Sequence, residues 1–155
     1  MRVTRRWLGG VAVLGLLSAA SPAAAELQWL GVHGSYYELY DRGAIGFNAR
    51  EDLGHNLSGG LRIDYVFRNG TVTWCVDVDA QYDLPLNLKR PLLWVGGGGG
   101  IAHDDPNVLK RADVRPTASA FVGLGYKTGP FLPYVEVRLR SQENARLIFS
   151  MGLRF

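Results

Sequence analysis

The sequence predicts an all-β protein: a single antiparallel up-and-down barrel of eight strands, preceded by an export signal. Three observations predict it. Apolar and polar residues alternate with period two in stretch after stretch beyond residue 26, and no stretch there holds a 3.6-residue apolar period. Turn-forming residues fall between those stretches. The 155 residues suit one domain, and no linker or solenoid repeat divides them.

The first 25 residues read as an address. Met1 to Trp7 is positive, Leu8 to Leu17 is apolar, and Ser18 to Ala25 is small, ending Ala23-Ala24-Ala25. That is the charged, apolar and small-residue order of a secretory signal, with cleavage expected before Glu26. The apolar core is shorter than the ~20 residues a membrane-spanning helix needs. Thr4 to Leu8 brushes against a twin-arginine signal, but Arg-rich starts are common in Sec-type signals. The division expected is therefore 1–25 signal peptide and 26–155 barrel. The signal also carries the chain's charge. Formal net charge is +3 from 17 Lys+Arg and 14 Asp+Glu, and Arg2, Arg5 and Arg6 account for the excess. The remaining 14 basic and 14 acidic groups cancel. A neutral body has no broad basic field with which to gather nucleic acid. One cysteine, Cys75, excludes an internal disulfide and a Cys-rich zinc site.

Along the mature chain, weaker strands are expected at 27–38, 43–50 and 91–103. The last includes Gly96 to Gly100, whose glycines let a tightly curved sheet bend. It is not a phosphate loop, since no GK[ST] follows and no helix pattern starts there. Five strands alternate clearly. In 57–67, Leu57, Leu61, Ile63, Tyr65 and Phe67 oppose Ser58, Arg62, Asp64 and Val66. In 71–82, Val72, Trp74, Val76, Val78 and Tyr82 oppose Thr73, Cys75, Asp77, Asp79 and Gln81. In 114–126, Val114, Ala118, Ala120, Val122, Leu124 and Tyr126 oppose Arg115, Thr117, Ser119 and Phe121. In 131–140, Phe131, Val135, Val137 and Leu139 oppose Leu132, Tyr134, Glu136, Arg138 and Arg140. The last eleven residues set Leu147, Phe149, Met151, Leu153 and Phe155 against Arg146, Ile148, Ser150 and Arg154. Turns are expected at Asp41-Arg42-Gly43, Arg68-Asn69-Gly70, Lys127 to Pro130 and Ser141 to Asn144. Asn69-Gly70 is a type I′ hairpin signal. Longer breaks are expected at Glu51 to Asn56, Leu84 to Arg90 and Asp104 to Asp113.

Alternation does not say which face points in. A soluble barrel of the lipocalin kind puts apolar side chains inside; a transmembrane β-barrel puts them outside. Three features favour the second. The polar faces carry charges of both signs in mid-strand: Arg62, Asp64, Asp77, Asp79, Glu136, Arg138 and Arg140. An eight-stranded barrel is just wide enough to be filled by side chains, so such a mixture satisfies itself by ion pairs. Aromatics cluster at strand ends, with Trp29, Tyr82, Trp94, Tyr126, Phe131 and Phe155 toward one rim and Tyr36, Tyr65, Phe67 and Trp74 toward the other. Finally, the last apolar face ends on Phe155, as a barrel closed by its last strand requires. Eight strands of about 10 residues leave roughly 50 residues of the mature chain for connections.

Together the signal, the eight amphipathic strands and the ending Leu147-x-Phe149-x-Met151-x-Leu153-x-Phe155 resemble the small outer-membrane β-barrel proteins of Gram-negative bacteria. The resemblance covers the whole chain. It implies an outer-membrane protein that contacts lipid and lipopolysaccharide, is a monomer, and uses Phe149, Met151, Leu153 and Phe155 as the signal read by the barrel-assembly machinery. The outer connections are short for that family, and His103 to Ala112 is of moderate size. The same barrel hosts structural proteins, adhesins and lipid-modifying enzymes, so the resemblance leaves activity open.

Chemistry-bearing residues are few. His33-Gly34-Ser35, with Glu38 nearby, resembles the His-x-Ser-Asn motif and orienting Glu of the lipid A deacylases, themselves small barrels. On a strand His33 and Ser35 share a face, as a base and nucleophile must. Tyr36 replaces the Asn, however, and the motif sits on the first strand rather than late in the chain. A polar lining is the plainer reading of these residues. His103-Asp104-Asp105 suggests calcium-type oxygen ligands, but nothing supplies the rest at fixed spacing. His55 and His103 are expected in turns and Cys75 as a small inert filler. No cofactor or metal is expected. The expectation is a structural or surface-interaction barrel without assigned chemistry; a deacylase-like lipid A hydrolase is the alternative, and a soluble periplasmic binding barrel a more distant one.

Overall fold

In the computed structural model of the protein, residues 27–38, 41–68, 71–86, 89–104, 113–142 and 144–155 are described. The expectations for the signal at 1–25 and for the hairpin tip at Asn69-Gly70 lie outside those residues. Eight strands follow in order: β1 (Leu27–Tyr37), β2 (Arg42–Gly54), β3 (Leu57–Arg68), β4 (Thr71–Asp83), β5 (Pro91–Asp104), β6 (Asp113–Tyr126), β7 (Leu132–Gln142) and β8 (Asn144–Arg154). Each pairs antiparallel with the next, and β1 pairs with β8, so the sheet closes into an up-and-down barrel. Closure matters because it leaves no strand edge to satisfy.

The closing ladder runs from Gly31↔Arg154 to Tyr37↔Ile148. It extends past β8 through the backbone pair Leu30 N to Phe155 O at 2.9 Å and Phe155 N to Leu30 O at 2.7 Å. Period-two geometry then assigns the faces. On β7, Val135, Val137 and Leu139 are exposed while Glu136, Arg138 and Arg140 are buried. On β8, Phe149, Met151 and Phe155 are exposed while Ile148, Ser150 and Arg154 are buried. Among the described residues, the outward positions of β3, β4, β6, β7 and β8 carry no charge. A lipocalin-like soluble barrel requires the opposite arrangement, so that reading is corrected: the apolar face is the outer one.

Several boundaries differ from expectation. Sequence places a break at Glu51 to Asn56, but β2 continues through Gly54, with Glu51 facing Gly59 and Asp52 facing Ser58. Charged residues read as loop there; at the rim solvent takes them and the backbone still pairs. The chain reverses at His55 and Asn56, whose φ values are 56° and 63°. Two successive positive φ values are what a type I′ hairpin demands, and Asn tolerates them. Arg42 and Gly43 belong to β2, and Ser141, Gln142 and Asn144 to the last two strands, so those turns are tighter than expected. His103 is not in a turn. It lies on β5, half-buried, paired with Trp74 and Val114. Once the glycine run has committed β5 to the sheet, Ile101, Ala102 and His103 simply extend its ladders.

Glycine on β5 serves close approach. A Cβ on inward-facing Gly98 would lie 2.6 Å from Asp79 Cα. Glycine there lets the inner face of β5 approach β4 more closely than a side chain would allow.

Candidate functional site

The inner faces of β3, β4 and β7 bring every predicted interior charge into one network. Register does the first part: Arg62 stands opposite Asp77, and Gly60 opposite Asp79, across β3 and β4. Shape does the rest, since β7 lies across the lumen. Arg62 donates from Nε to Asp64 Oδ2 at 2.8 Å and from Nη1 to Glu136 Oε1 at 3.0 Å. Its Nη2 donates to Ser35 Oγ at 2.9 Å and Ser150 Oγ at 2.8 Å. Arg138 Nη2 reaches Asp79 Oδ2 at 2.8 Å and Glu136 Oε1 at 3.1 Å. Arg140 pairs with Asp77, which also accepts from Thr117 Oγ1 at 3.2 Å. All seven charged side chains are buried.

Sequence reasoning missed four members of this network. Arg50 Nη2 donates to Asp79 Oδ1 at 2.6 Å. Arg154 lies 3.8 Å from Glu136 Oε2 and stacks over Trp94 and Tyr134, 4.6 Å from each ring centre. Trp94 Nε1 donates to Glu136 Oε2 at 3.3 Å, and Tyr37 OH donates to Asp64 Oδ2 at 2.9 Å. Arg50 was findable by following the alternation Ala44, Gly46, Asn48, Arg50 to the end of the expected strand 43–50. Arg154 already shared the polar face of Ser150. Trp94 is a correction: expected in the aromatic girdle, it is fully buried inside. The reason lies on β6, where Gly123 and Gly125 leave the room its indole occupies; a Cβ on Gly125 would come 3.0 Å from Trp94 Cζ3. Trp29 also differs, being half-buried with Lys127 Nζ 6.0 Å from its ring centre.

Among the described residues, five buried arginines face four buried carboxylates. Two small apolar clusters flank the network. Tyr37, Ala44, Val66 and Ile148 form one at the rim away from the chain ends. Trp94, Phe121, Tyr134 and Leu92 form the other toward the rim of the chain ends. Taking these ions out of water is expensive, and only multiple partners offset that cost. Removing one partner strands the others.

The residues of the hydrolase alternative are not assembled for it. His33 Nε2 is hydrogen-bonded to Asp64 Oδ1 at 2.6 Å, and Asn48 Nδ2 lies 3.1 Å from Nδ1. With Asn48 donating to Nδ1, the network assigns the ring proton to Nε2. Both nitrogens are thus engaged away from Ser35. Ser35 Oγ instead lies 2.8 Å from Ser150 Oγ and accepts from Arg62. A nucleophile needs a base within hydrogen-bond reach, and His33 is not so placed. Glu38 is exposed beyond the end of β1, while His33 and Ser35 are buried. His55 is exposed in its turn. Asp105, one third of the calcium-type triplet, lies outside the described residues. Among those residues no cluster of three or more His, Cys, Asp or Glu side chains is placed to hold a metal ion. Cys75 is buried and unbridged on the inner face.

The outer wall carries the other expected features. Phe149, Met151, Leu153 and Phe155 all point outward on and just past β8, with Met151 68% exposed. Tyr82, Tyr126, Phe131 and Phe155 are exposed toward the rim of the chain ends. Toward the opposite rim Tyr65 packs edge-on against Phe67 and Trp74, with ring centres 5.4 and 4.8 Å apart.

No family model matches the chain, and no curated protein matches it. Solved structures do. The N-terminal β-barrel domain of Pseudomonas aeruginosa OprF aligns with a TM-score of 0.67 at 14% identity, covering 83% of this chain and 97% of that one. Neisserial surface protein A, NspA, aligns with a TM-score of 0.56 at 11% identity, covering 81% and 92%. The outer membrane enzyme PagL aligns with a TM-score of 0.54 at 12% identity, covering 81% and 96%. At such identities the likeness is one of fold: a small closed barrel of the kind found in outer membranes.

Proposed function

We propose that this chain is an outer-membrane β-barrel protein of a Gram-negative bacterium, with a structural or surface-interaction role and no chemistry of its own. One observation carries the reading: the faces are inverted relative to a soluble barrel, with an apolar wall outside, uncharged at the described outward positions of β3, β4, β6, β7 and β8, and a paired ion network inside. Only a hydrocarbon surround makes that arrangement favourable, because water would reward the opposite one. Export by the segment 1–25 and recognition of Phe149, Met151, Leu153 and Phe155 by the assembly machinery belong to the same proposal. So does contact of the outer wall with lipid and lipopolysaccharide.

Two features favour a wall over a machine. The interior is filled by paired charges and two apolar clusters, as an eight-stranded barrel without an aqueous channel should be. The connections at the rim away from the chain ends are brief, with one residue between β7 and β8 and residues 105–112 between β5 and β6. A hydrolytic role is disfavoured because His33 and Ser35 are buried and bonded to other partners.

The decisive experiment is electrophoresis of the membrane fraction in detergent with and without boiling. The folded barrel is expected to migrate differently from the boiled chain and to sediment with membranes. A protein released by osmotic wash and migrating identically in both lanes would refute the assignment. Unaltered lipid A acylation after gene deletion is the expected result for a barrel without hydrolase activity.

A further inference from the structure

The geometry points to a phospholipid site on the outer wall, in which an acyl chain lies in a groove over Gly34 and the phosphate meets Arg90 and Lys127. This rests on the membrane reading above and goes beyond it by naming a ligand, a place and a headgroup chemistry. The wall is not uniformly smooth. Between Pro91 and Tyr126 at the rim of the chain ends and Gly34 at mid-wall runs a shallow groove of about 910 Å³, within the ordinary size of small-molecule sites. Its walls are bulky outward side chains, among them Phe47, Leu124, Val135 and Met151. Its floor is low at Gly34, where a Cβ would have no heavy atom nearer than Ala44 O at 4.0 Å. Gly34 stands between Ile45 on β2 and Met151 on β8, so both neighbours rise above it. A second, smaller depression of about 460 Å³ shares Gly34, Val135 and Met151 and carries the groove on toward Tyr36 and Phe149.

Charge identifies the occupant. The groove's end at the rim of the chain ends meets exposed Arg90 and Lys127, with Lys89 beside them. Arg90 Nη1 donates to the outward Tyr126 hydroxyl at 3.5 Å, and Lys127 N donates to Arg90 O at 2.9 Å, so the two cations are tied to the groove's mouth. Asp83, an acid on the neighbouring strand end, is half-buried and accepts from Gln81 Nε2 at 2.7 Å. Glu51 and Asp52 lie on β2, four strands around the barrel from the β6 end that carries Tyr126 and the groove's mouth. An apolar trench ending on exposed Arg90 and Lys127, the latter with its Nζ 6.0 Å from the Trp29 ring centre, is complementary to an acyl chain ending on a phosphate. None of the described residues of the β4–β5 connection or the β6–β7 turn takes part in the interior network.

The test is native mass spectrometry of the folded barrel released from micelles containing equal amounts of 1-palmitoyl-2-oleoyl phosphatidylglycerol and the matching phosphatidylcholine. The wild-type chain is expected to retain one phosphatidylglycerol in preference. The Arg90→Ser/Lys127→Ser double variant is expected to lose that preference by on the order of tenfold, and Gly34→Leu, which fills the trench, to lose retention of both lipids. Equal retention of the two lipids by the wild type, or preference unchanged in both variants, would overturn the site. Every sample is also run with and without boiling. A chain that shows no heat-modifiable band fails the membrane reading itself, whereas one that shows the band without lipid preference fails only the site.

Discussion

At the scale of single residues the interior is a set of shared obligations. Arg138 serves Asp79 and Glu136 together, and its guanidinium lies 4.2 Å above the Phe121 ring centre. Replacing it with alanine leaves two carboxylates buried with fewer partners and opens a space beneath the ring. Loss of one partner from a buried pair typically costs 3–5 kcal/mol. Arg138→Ala is therefore expected to lower the unfolding midpoint in detergent clearly, while Lys89→Ala, exposed at the rim, changes it little. Equal midpoints for Arg138→Ala and the wild type would sink the internal network. His33 follows the same logic. A histidine and a serine two apart share a strand face, which admits a catalytic base beside the plainer reading of a polar lining; what decides its chemistry is which partners β2 and β3 bring to it. Those are Asn48 and Asp64, neither adjacent in sequence, so the motif alone was silent on them.

At the scale of elements, parity governs what a substitution does. Gly98 and Gly99 are sequence neighbours on opposite faces of β5. A Cβ on Gly98 would fall 2.6 Å from Asp79 Cα, where backbone must yield, while one on Gly99 would find its nearest neighbour at 3.3 Å. Gly98→Ala is expected to destabilise by about 1–3 kcal/mol through overpacking, with Gly99→Ala far milder. Thermal or urea unfolding in detergent measures both, and equal costs would refute the close approach of β5 to β4. Faces were legible in the sequence for β3, β4, β6, β7 and β8 because alternation is a local property of backbone pleat. Boundaries were less so. Glu51 and Asp52 resemble loop by composition, yet β3 supplies them with ladder partners at the rim. Trp94 looked like a girdle aromatic by its place near a strand end. Its inward position depends on Gly123, which sits opposite it on β6 and about thirty positions later in the chain. Pairings across that distance leave no mark in a single strand's pattern.

At the scale of the whole molecule, on the proposed membrane reading, the two apolar clusters bear on whether the charged interior communicates with the solvent at either rim. Five arginines gathered inside a barrel would make an anion-attracting pore if water could enter. The cluster of Tyr37, Ala44, Val66 and Ile148 stands between that network and the rim away from the chain ends, and Trp94, Phe121, Tyr134 and Leu92 stand toward the other. Cys75 reports on the first of these, since it is buried on the inner face and is the one cysteine of the sequence. A small charged methanethiosulfonate reagent is expected to leave Cys75 unmodified in the folded barrel and to modify it fully in the boiled chain. Val66→Ala combined with Ile148→Ala thins the cluster above the network and is expected to raise the labelling rate of the folded protein by at least about tenfold, the ratio for ~1.4 kcal/mol of eased access. The two truncations also lower the unfolding midpoint, so labelling is compared well below the variant's own midpoint, where faster modification reports a thinned seal rather than global unfolding. Rapid modification of Cys75 in the folded wild type would mean that water reaches the ion network, and with it that the barrel is open rather than sealed.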